Sequence, residues 1–430
     1  MKIHLIGIGG IGVSALAQYY LAKGHEVSGS DLVASEITEF LKKRGVEIFI
    51  GNSAENIKQD LDLVVYSPAV KSDNPEYKKA KELEIKTQSY PEALGDLTRE
   101  YFTIAVSGAH GKSTTTAMIA LILSAAGLDP TVIVGTKLKE FGNSNFRIGK
   151  GRFLVIEACE YDSSFLNYSP KIIVVTNVDK EHLDYFKTFE NVKKAFENFI
   201  VRLPADGFLV FNKDDKNILL PKKFDFKVSS FFLKQKEAKK VKIMLQVPGQ
   251  HNISNALAAL QVARIMRIPD IISFKALSEF QGTWRRFEVR EANINGKKVT
   301  VISDYAHHPN EISATLQAAR EKYGKERIWC IFQPHQHQRT FYLFDDFVKT
   351  FRKAKIDKII ITDIYDVAGR EEKSINEEVS SEKLVKKINR KNVSYLPMNS
   401  LEKYITENVK SGEVLIIMGA GDIYKLADKF

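Results

Sequence analysis

Two short glycine-rich segments, each held between an apolar run and a helical pattern, limit what this chain can fold into. The first is Gly7-Ile8-Gly9-Gly10-Ile11-Gly12, directly after the apolar run Ile3–Ile6. The second is Gly108-Ala109-His110-Gly111-Lys112-Ser113-Thr114-Thr115-Thr116, directly after Thr103–Val106. A strand that turns through glycines into a helix belongs to a parallel sheet, because a parallel neighbour is reached by a crossover and not by a hairpin. Strands and helices alternate along the rest of the chain, so an α/β protein is predicted.

The two segments differ in chemistry. The first matches G-x-G-x-x-G, and Asp31 stands 19 residues after Gly12 at the end of the next strand. Such glycines let the backbone approach a diphosphate at a helix N-terminus, and the acid can accept from a ribose hydroxyl. The ligand stays open: NAD is the default, but no hydride-transfer site follows, and UDP would use the same amides. The second segment is a shortened G-x-x-x-x-G-K-[ST] pattern. Its amides face phosphates, Lys112 reaches the terminal ones and Ser113 can hold Mg²⁺, which points to ATP.

Mg²⁺ needs further oxygen ligands, commonly carboxylates at strand ends. Glu157 follows the strand-like run Phe153–Ile156, with Glu160 and Asp162 close behind. The next run, Ile172–Thr176, leads into Asn177-Val178-Asp179-Lys180-Glu181-His182. His307-His308 and His335-x-His337 raise a zinc reading, but their spacing fits no zinc signature.

A chain of 430 residues exceeds one domain. Three consecutive units are predicted, over 1–98, 99–286 and 287–430. The first has a helix over Ser14–Lys23 and strands over Glu26–Gly29 and Asp62–Tyr66. The second has strands over Tyr101–Val106, Phe153–Ile156, Ile172–Thr176 and Gly207–Phe211. Its lysine-rich stretch 222–247 reads as solvated edge strands or a hairpin, and a helix over Ile253–Met266 follows. The third has strands over Lys298–Ile302, Arg327–Phe332, Lys358–Thr362 and Val414–Met418.

There is no apolar run of about eighteen residues, so no membrane span is predicted. No signal-peptide pattern precedes the first strand, so a cytoplasmic location is expected. Cys159 and Cys330 fall in apolar strand-like runs and read as two buried thiols. The net charge of +10 is spread among interspersed acids. Polyphosphate ligands explain it better than nucleic acid. Neither a nucleic-acid nor a membrane partner is expected, and the oligomeric state stays open.

Further motifs sit in order along the chain: Ser28-Gly29-Ser30-Asp31, Val247-Pro248-Gly249-x-His251-Asn252-x-x-Asn255-Ala256, Arg285-Arg286-Phe287-Glu288, Asp304-Tyr305-Ala306-His307-His308-Pro309, Phe332-Gln333-Pro334-His335 and Gly419-Ala420-Gly421-Asp422. With the two glycine loops, they make the chain resemble the Mur ligases of peptidoglycan synthesis along nearly its whole length, and most of all their alanine-adding branch. The resemblance implies a Rossmann-like N-terminal domain for a UDP-linked substrate, a P-loop ATPase central domain and a Rossmann-like C-terminal domain that receives the amino acid.

It also implies site residues. Gly9, Gly10, Ile11, Gly12, Asp31 and Ser67 would hold UDP-N-acetylmuramate. Gly108, Ala109, His110, Gly111, Lys112, Ser113 and Thr114 would hold ATP, with His251, Asn252 and Asn255 at adenine and Asp304 and Arg286 reaching the nucleotide. Ser113, Glu157 and His182 would lie at Mg²⁺. Tyr305, His307 and Arg339 would meet L-alanine, whose carboxylate suits an arginine fork. The implied catalytic set is Lys112, Glu157, His182, Arg286, His307 and Arg339, acting through an acyl phosphate.

Cys159 and Tyr161 depart from the family's usual Asp and Ser, and Gln336 stands where many relatives have arginine. Glu160-Tyr161-Asp162 is reminiscent of the peptide-recycling branch, while Phe332-Gln333-Pro334-His335 favours the alanine-adding one. A peptide-joining ligase and, from another class, an NAD-dependent oxidoreductase remain alternatives.

Overall fold

Each predicted alternation of strands and helices closes into a sheet of its own in the computed structural model, which describes residues 1–366 and 378–430. The residues group into two compact units. The first comprises 1–179, 190–241 and 254–279, and the second 180–189, 242–253 and 280–430.

The first unit carries two sheets. Five parallel strands run in the order Glu47–Ile50, Glu26–Asp31, Lys2–Ile6, Leu63–Tyr66 and Thr87–Ser89. The chain reverses direction across the sheet on either side of Lys2–Ile6. The first glycine loop leaves the C-terminal end of that strand, where open α/β sheets bind ligands. The second sheet orders seven strands as Lys227–Phe231, Phe208–Asn212, Ile172–Val175, Phe102–Ser107, Phe153–Glu157, Thr131–Leu138 and Ser144–Arg147. Only the last pair is antiparallel. Phe102–Ser107, near the middle, feeds the phosphate loop.

The helix Ile11–Ala22 explains why both sheets form one unit. Val13 through Tyr20 are all buried along it. Its far side meets the antiparallel hairpin, where Gln18 Nε2 donates to Asn145 Oδ1 at 2.8 Å and Ser144 Oγ donates to Gln18 Oε1 at 3.1 Å. Asn145 Nδ2 also donates to Ser14 Oγ at 3.1 Å. A buried amide is tolerated there only because its polar atoms are paired.

The second unit builds six strands in the order Glu288–Ile294, Lys297–Asp304, Val414–Met418, Ile328–Phe332, Lys358–Ile361 and Val393–Tyr395. Its opening hairpin turns at Asn295 (φ 49°) and Gly296 (φ 81°), left-handed positions that Asn-Gly adopts readily. Phe332, Phe347 and Phe351 fill one face of the sheet; Trp329, Leu401 and Ile405 fill the other.

Several expectations shift. The first helix begins at Ile11 and not Ser14, since Gly10 is already its extended N-cap. Stretch 222–247 forms no hairpin: Lys227–Phe231 is one parallel edge strand, and Glu237–Met244 is a helix. The lysines there flank an edge strand, a common guard against further pairing. Cys330 is buried in a strand, but Cys159 lies past the end of Phe153–Glu157 and is only half-buried. The helix predicted from Ile253 starts at Gln250, directly after Gly249 at φ 99°. Among the described residues, no helix is long and apolar enough to cross a membrane.

Asn145→Ala should destabilise the first unit by about 1–3 kcal/mol, because it removes the shorter of the two acceptors of the buried Gln18 Nε2 and the donor to Ser14 Oγ. Urea unfolding monitored by circular dichroism reads the shift; a midpoint equal to wild type would contradict the pairing role.

Candidate active site

In the first unit, the phosphate loop is braced from the neighbouring strand. Thr176 Oγ1 donates to His110 O at 2.6 Å, and Asn177 bonds His110 on both sides, receiving its N–H at 2.8 Å and donating to its carbonyl at 2.9 Å. Asp179 Oδ2 lies 3.0 Å from His110 Nε2. Gly108 sits at φ 135°, and a Cβ there would come within 2.0 Å of Thr176 Oγ1. Gly111 (φ 82°) caps the helix Lys112–Ala125 with no side-chain bond. The first-turn amides thus point into an open N-terminus that attracts anions. Asn255 Oδ1 is seated against Gly111, 2.4 Å from where a Cβ would stand.

Lys112 Nζ donates to Gly108 O at 2.6 Å and lies 3.2 and 3.1 Å from the two Glu160 oxygens. Burial works to lower its pKa, but the Glu160 carboxylate outweighs burial and holds the ammonium above its usual range, with Glu157 adding to the effect. Ser113 is buried in the first helical turn. Glu157 closes its strand with Oε1 accepting from Gly135 N at 2.6 Å. A hydroxyl and a carboxylate are the hard oxygen donors that Mg²⁺ selects, so these residues fit that ion.

The other glycine loop has its own geometry. Gly7 is left-handed at φ 79°, and its amide and that of Ile8 donate to Ser30 O. Asp31 Oδ2 accepts from Gly9 N at 2.9 Å, so the acid expected at a ribose holds the loop itself. Ser67 packs on Gly7, and Tyr90 closes over Gly12.

The second unit gathers a different set. Asp304, at the end of its strand, accepts from Phe287 N at 2.8 Å and Ala306 N at 2.7 Å. Burial pushes its carboxyl up to about 6, against Arg286 and both amides. The Arg285 and Arg286 guanidinium groups both approach the Tyr305 ring, at 4.9 and 5.0 Å from its centroid. His307 Nδ1 is 3.1 Å from Tyr305 O. Burial, then the Arg339 charge, lowers His307 to about 4, so its 3.3 Å contact with Glu311 joins a neutral ring to the acid. Arg339 bonds Glu181 at 3.3 Å and His335 Nδ1 at 3.0 Å. His335 stacks on Tyr365 and is held near 2 by burial, then by His307 and Arg339. Burial would raise Glu181, but Arg339 and three histidines hold it well below the usual carboxylate range. Glu181, His182, Gln336 and Arg339 line a cavity of about 20 Å³, room for a water.

Three family models cover the chain: Mur ligase family, catalytic domain, over residues 2–102; Mur ligase middle domain over 106–237; and Mur ligase, glutamate ligase domain, over 285–421. The chain belongs to the Mur ligase family. It is 42% identical to the UDP-N-acetylmuramate–L-alanine ligase of Acetivibrio thermocellus, over 100% of this chain and 95% of that protein. It is 41% identical to the enzyme of that name from Clostridium botulinum strain Hall, over 100% and 97%. Among solved structures, the UDP-N-acetylmuramate–alanine ligase of Thermotoga maritima matches with TM-score 0.81 at 30% identity, over 100% and 98%. A murein peptide ligase from Psychrobacter arcticus shares the fold, with TM-score 0.73 at 23% identity, over 100% and 98%.

This Mur ligase has the three-domain α/β architecture expected. Of the predicted residues, Gly9–Gly12, Asp31 and Ser67 gather at one loop. Gly108–Thr114, Glu157 and Asn255 belong to the first unit's second sheet or lie against its loop. His182, His251, Asn252, Arg286, Asp304, Tyr305, His307 and Arg339 belong to the second unit. Asn252 Nδ2 donates to Pro248 O at 2.7 Å, and a Cβ on Gly249 would meet the His251 ring. Gln336 adopts φ 70° beside Arg339. Sequence reasoning missed Thr176 and Asn177 as loop braces, Glu181 as the partner of Arg339, and Arg285, which bonds Gly419 O and lies 4.4 Å from the Tyr424 ring. The Arg285-Arg286 pair was the only signal for the last; the others depend on pairings between distant segments.

Folding takes up a proton at Asp304, because its folded pKa is the higher one. Its stabilising share is complete below pH about 4 and is lost as pH rises through about 6. The stability of wild type minus that of Asp304→Asn should therefore fall by roughly 2–3 kcal/mol across that window. Denaturation series at several pH values measure it, and a flat difference would refute the raised carboxyl. Gly111→Ala meets both a left-handed backbone and Asn255, and should weaken nucleotide binding about tenfold or more by calorimetry.

Proposed function

We propose that this chain is an ATP-dependent ligase that joins L-alanine to UDP-N-acetylmuramate through an acyl phosphate, in the cytoplasm, as a step of peptidoglycan synthesis. The observation that carries this is the braced loop presenting Lys112 at an open helix N-terminus, in a chain whose full-length relatives bear that ligase name. In this reading 1–98 holds the UDP-linked substrate, 99–286 the ATP and 287–430 the amino acid.

The chemistry follows from the residues. A carboxylate is a poor electrophile, so it must first accept the γ-phosphoryl group, and an amine then attacks the acyl phosphate. Lys112 and the amides of Gly111–Thr114 neutralise charge on the phosphates. Ser113, Glu157 and His182 would hold Mg²⁺, which supplies further countercharge when bound. Asn255 lies against the phosphate loop, and with His251 and Asn252 it would meet adenine; Arg286 and Asp304 would also reach the nucleotide. Arg339 offers a planar fork for the amino acid's carboxylate, with two of its five donors already engaged by Glu181 and His335. His307 stays uncharged near neutral pH, so it does not repel the incoming ammonium group before that group loses its proton.

The test is phosphate release that requires both UDP-N-acetylmuramate and L-alanine. Equal ATP turnover without the sugar acid would sink the proposal, and turnover with a tripeptide but not alanine would move the chain to the peptide-joining branch. Lys112→Ala should lower kcat roughly a hundred- to a thousandfold.

A further inference from the structure

Lys112 has more acceptors within the protein than it has protons to give. An ammonium has three protons, and four acceptors surround this one: Gly108 O at 2.6 Å, Ala109 O at 3.2 Å and the two Glu160 oxygens at 3.2 and 3.1 Å. The carbonyls belong to the braced loop and cannot leave without unmaking it. Glu160 differs on each count. It is a side chain, it is charged, and it is fully buried at 1% exposure. Its carboxylate would also repel a phosphate arriving at Lys112.

The segment that carries Glu160 is strained. Asp162 and Ser163, two and three residues on, both sit at φ 52°, a left-handed conformation that costs a residue with a side chain. The turn is closed by Ser163 N donating to Glu160 O at 3.0 Å and Phe165 N to Cys159 O at 3.1 Å.

We propose that Glu160 is a positioning residue for Lys112, holding the ammonium against the loop's own carbonyls and yielding it to the terminal phosphate of the nucleotide. This rests on the assignment of Lys112 to phosphate. The rival account, in which Glu160 merely neutralises a buried lysine, predicts the opposite response to charge removal: an unpaired buried ammonium would loosen the loop and weaken nucleotide binding.

Calorimetric titration of the full-length protein with ADP, in EDTA so that no metal ligand is altered, separates the two. Glu160→Gln should bind ADP about tenfold more tightly than wild type, since it removes both competitor and repulsion. Glu160→Asp, which draws the carboxylate back by one methylene, should show a smaller gain in the same direction and serves if the first variant does not fold. Unchanged or weaker ADP binding by either variant with a wild-type circular dichroism spectrum overturns the proposal. Failure of the wild type itself to bind ADP would overturn it together with the phosphate role of Lys112.

Discussion

The grip of Thr176 and Asn177 on His110 is the contact on which the rest of the first unit's chemistry depends. A phosphate loop works because successive amides face one point, and that requires backbone conformations that glycines permit but do not enforce. Gly108 and Gly111 supply the permission, at φ 135° and 82°. The enforcement comes from the adjacent strand end, where the Thr176 hydroxyl fills the space a Cβ on Gly108 would need and the Asn177 side-chain amide bonds both the N–H and the carbonyl of His110. The parallel register that sets Val175 beside Ser107 delivers those two residues to the loop.

The second unit solves a different problem, which is how to hold several ionisable groups close together. Glu181 and Arg339 are charged and paired. His307 and His335 are held neutral, and Asp304 titrates near 6. The imidazoles stay neutral because burial and the nearby guanidinium act in the same direction. In the proposed reading, a carboxylate reaching Arg339 would meet a guanidinium whose charge is already partly satisfied, so its orientation would depend on donor geometry more than on bare attraction.

Much of this was legible in the residues. Both glycine loops and their flanking strands, the alternation that gives consecutive sheets, and the strand-end acid Glu157 all have local causes. What could not be read depends on long-range register. Nothing in the run 222–247 distinguishes one parallel edge strand plus a helix from a hairpin, since lysines alternate with apolar residues in both. The hairpin 131–147 escaped because its function is to cover the helix Ile11–Ala22, over a hundred residues away. Asp31 was read as a ribose partner from its spacing, and the same spacing also brings it to Gly9 N. Glu181 falls in a strand-end run that reads as a source of metal ligands, and its pairing with Arg339 lies too far along the chain to be read locally.

The second unit takes in residues 180–189, ten residues from within the stretch matched by the middle-domain family model. A contiguous fragment ending at residue 286 would carry Glu181 without Arg339, leaving an acid in a site shaped for an ion pair. A fragment beginning at 287 would carry Arg339 without its acid. Genetic shuffling of such domains by simple cut-and-join would therefore break the pair unless both pieces came from compatible parents. The Glu181–Arg339 pair is inherited intact only in a piece that spans both residues, even though the sheets follow one another in tidy order.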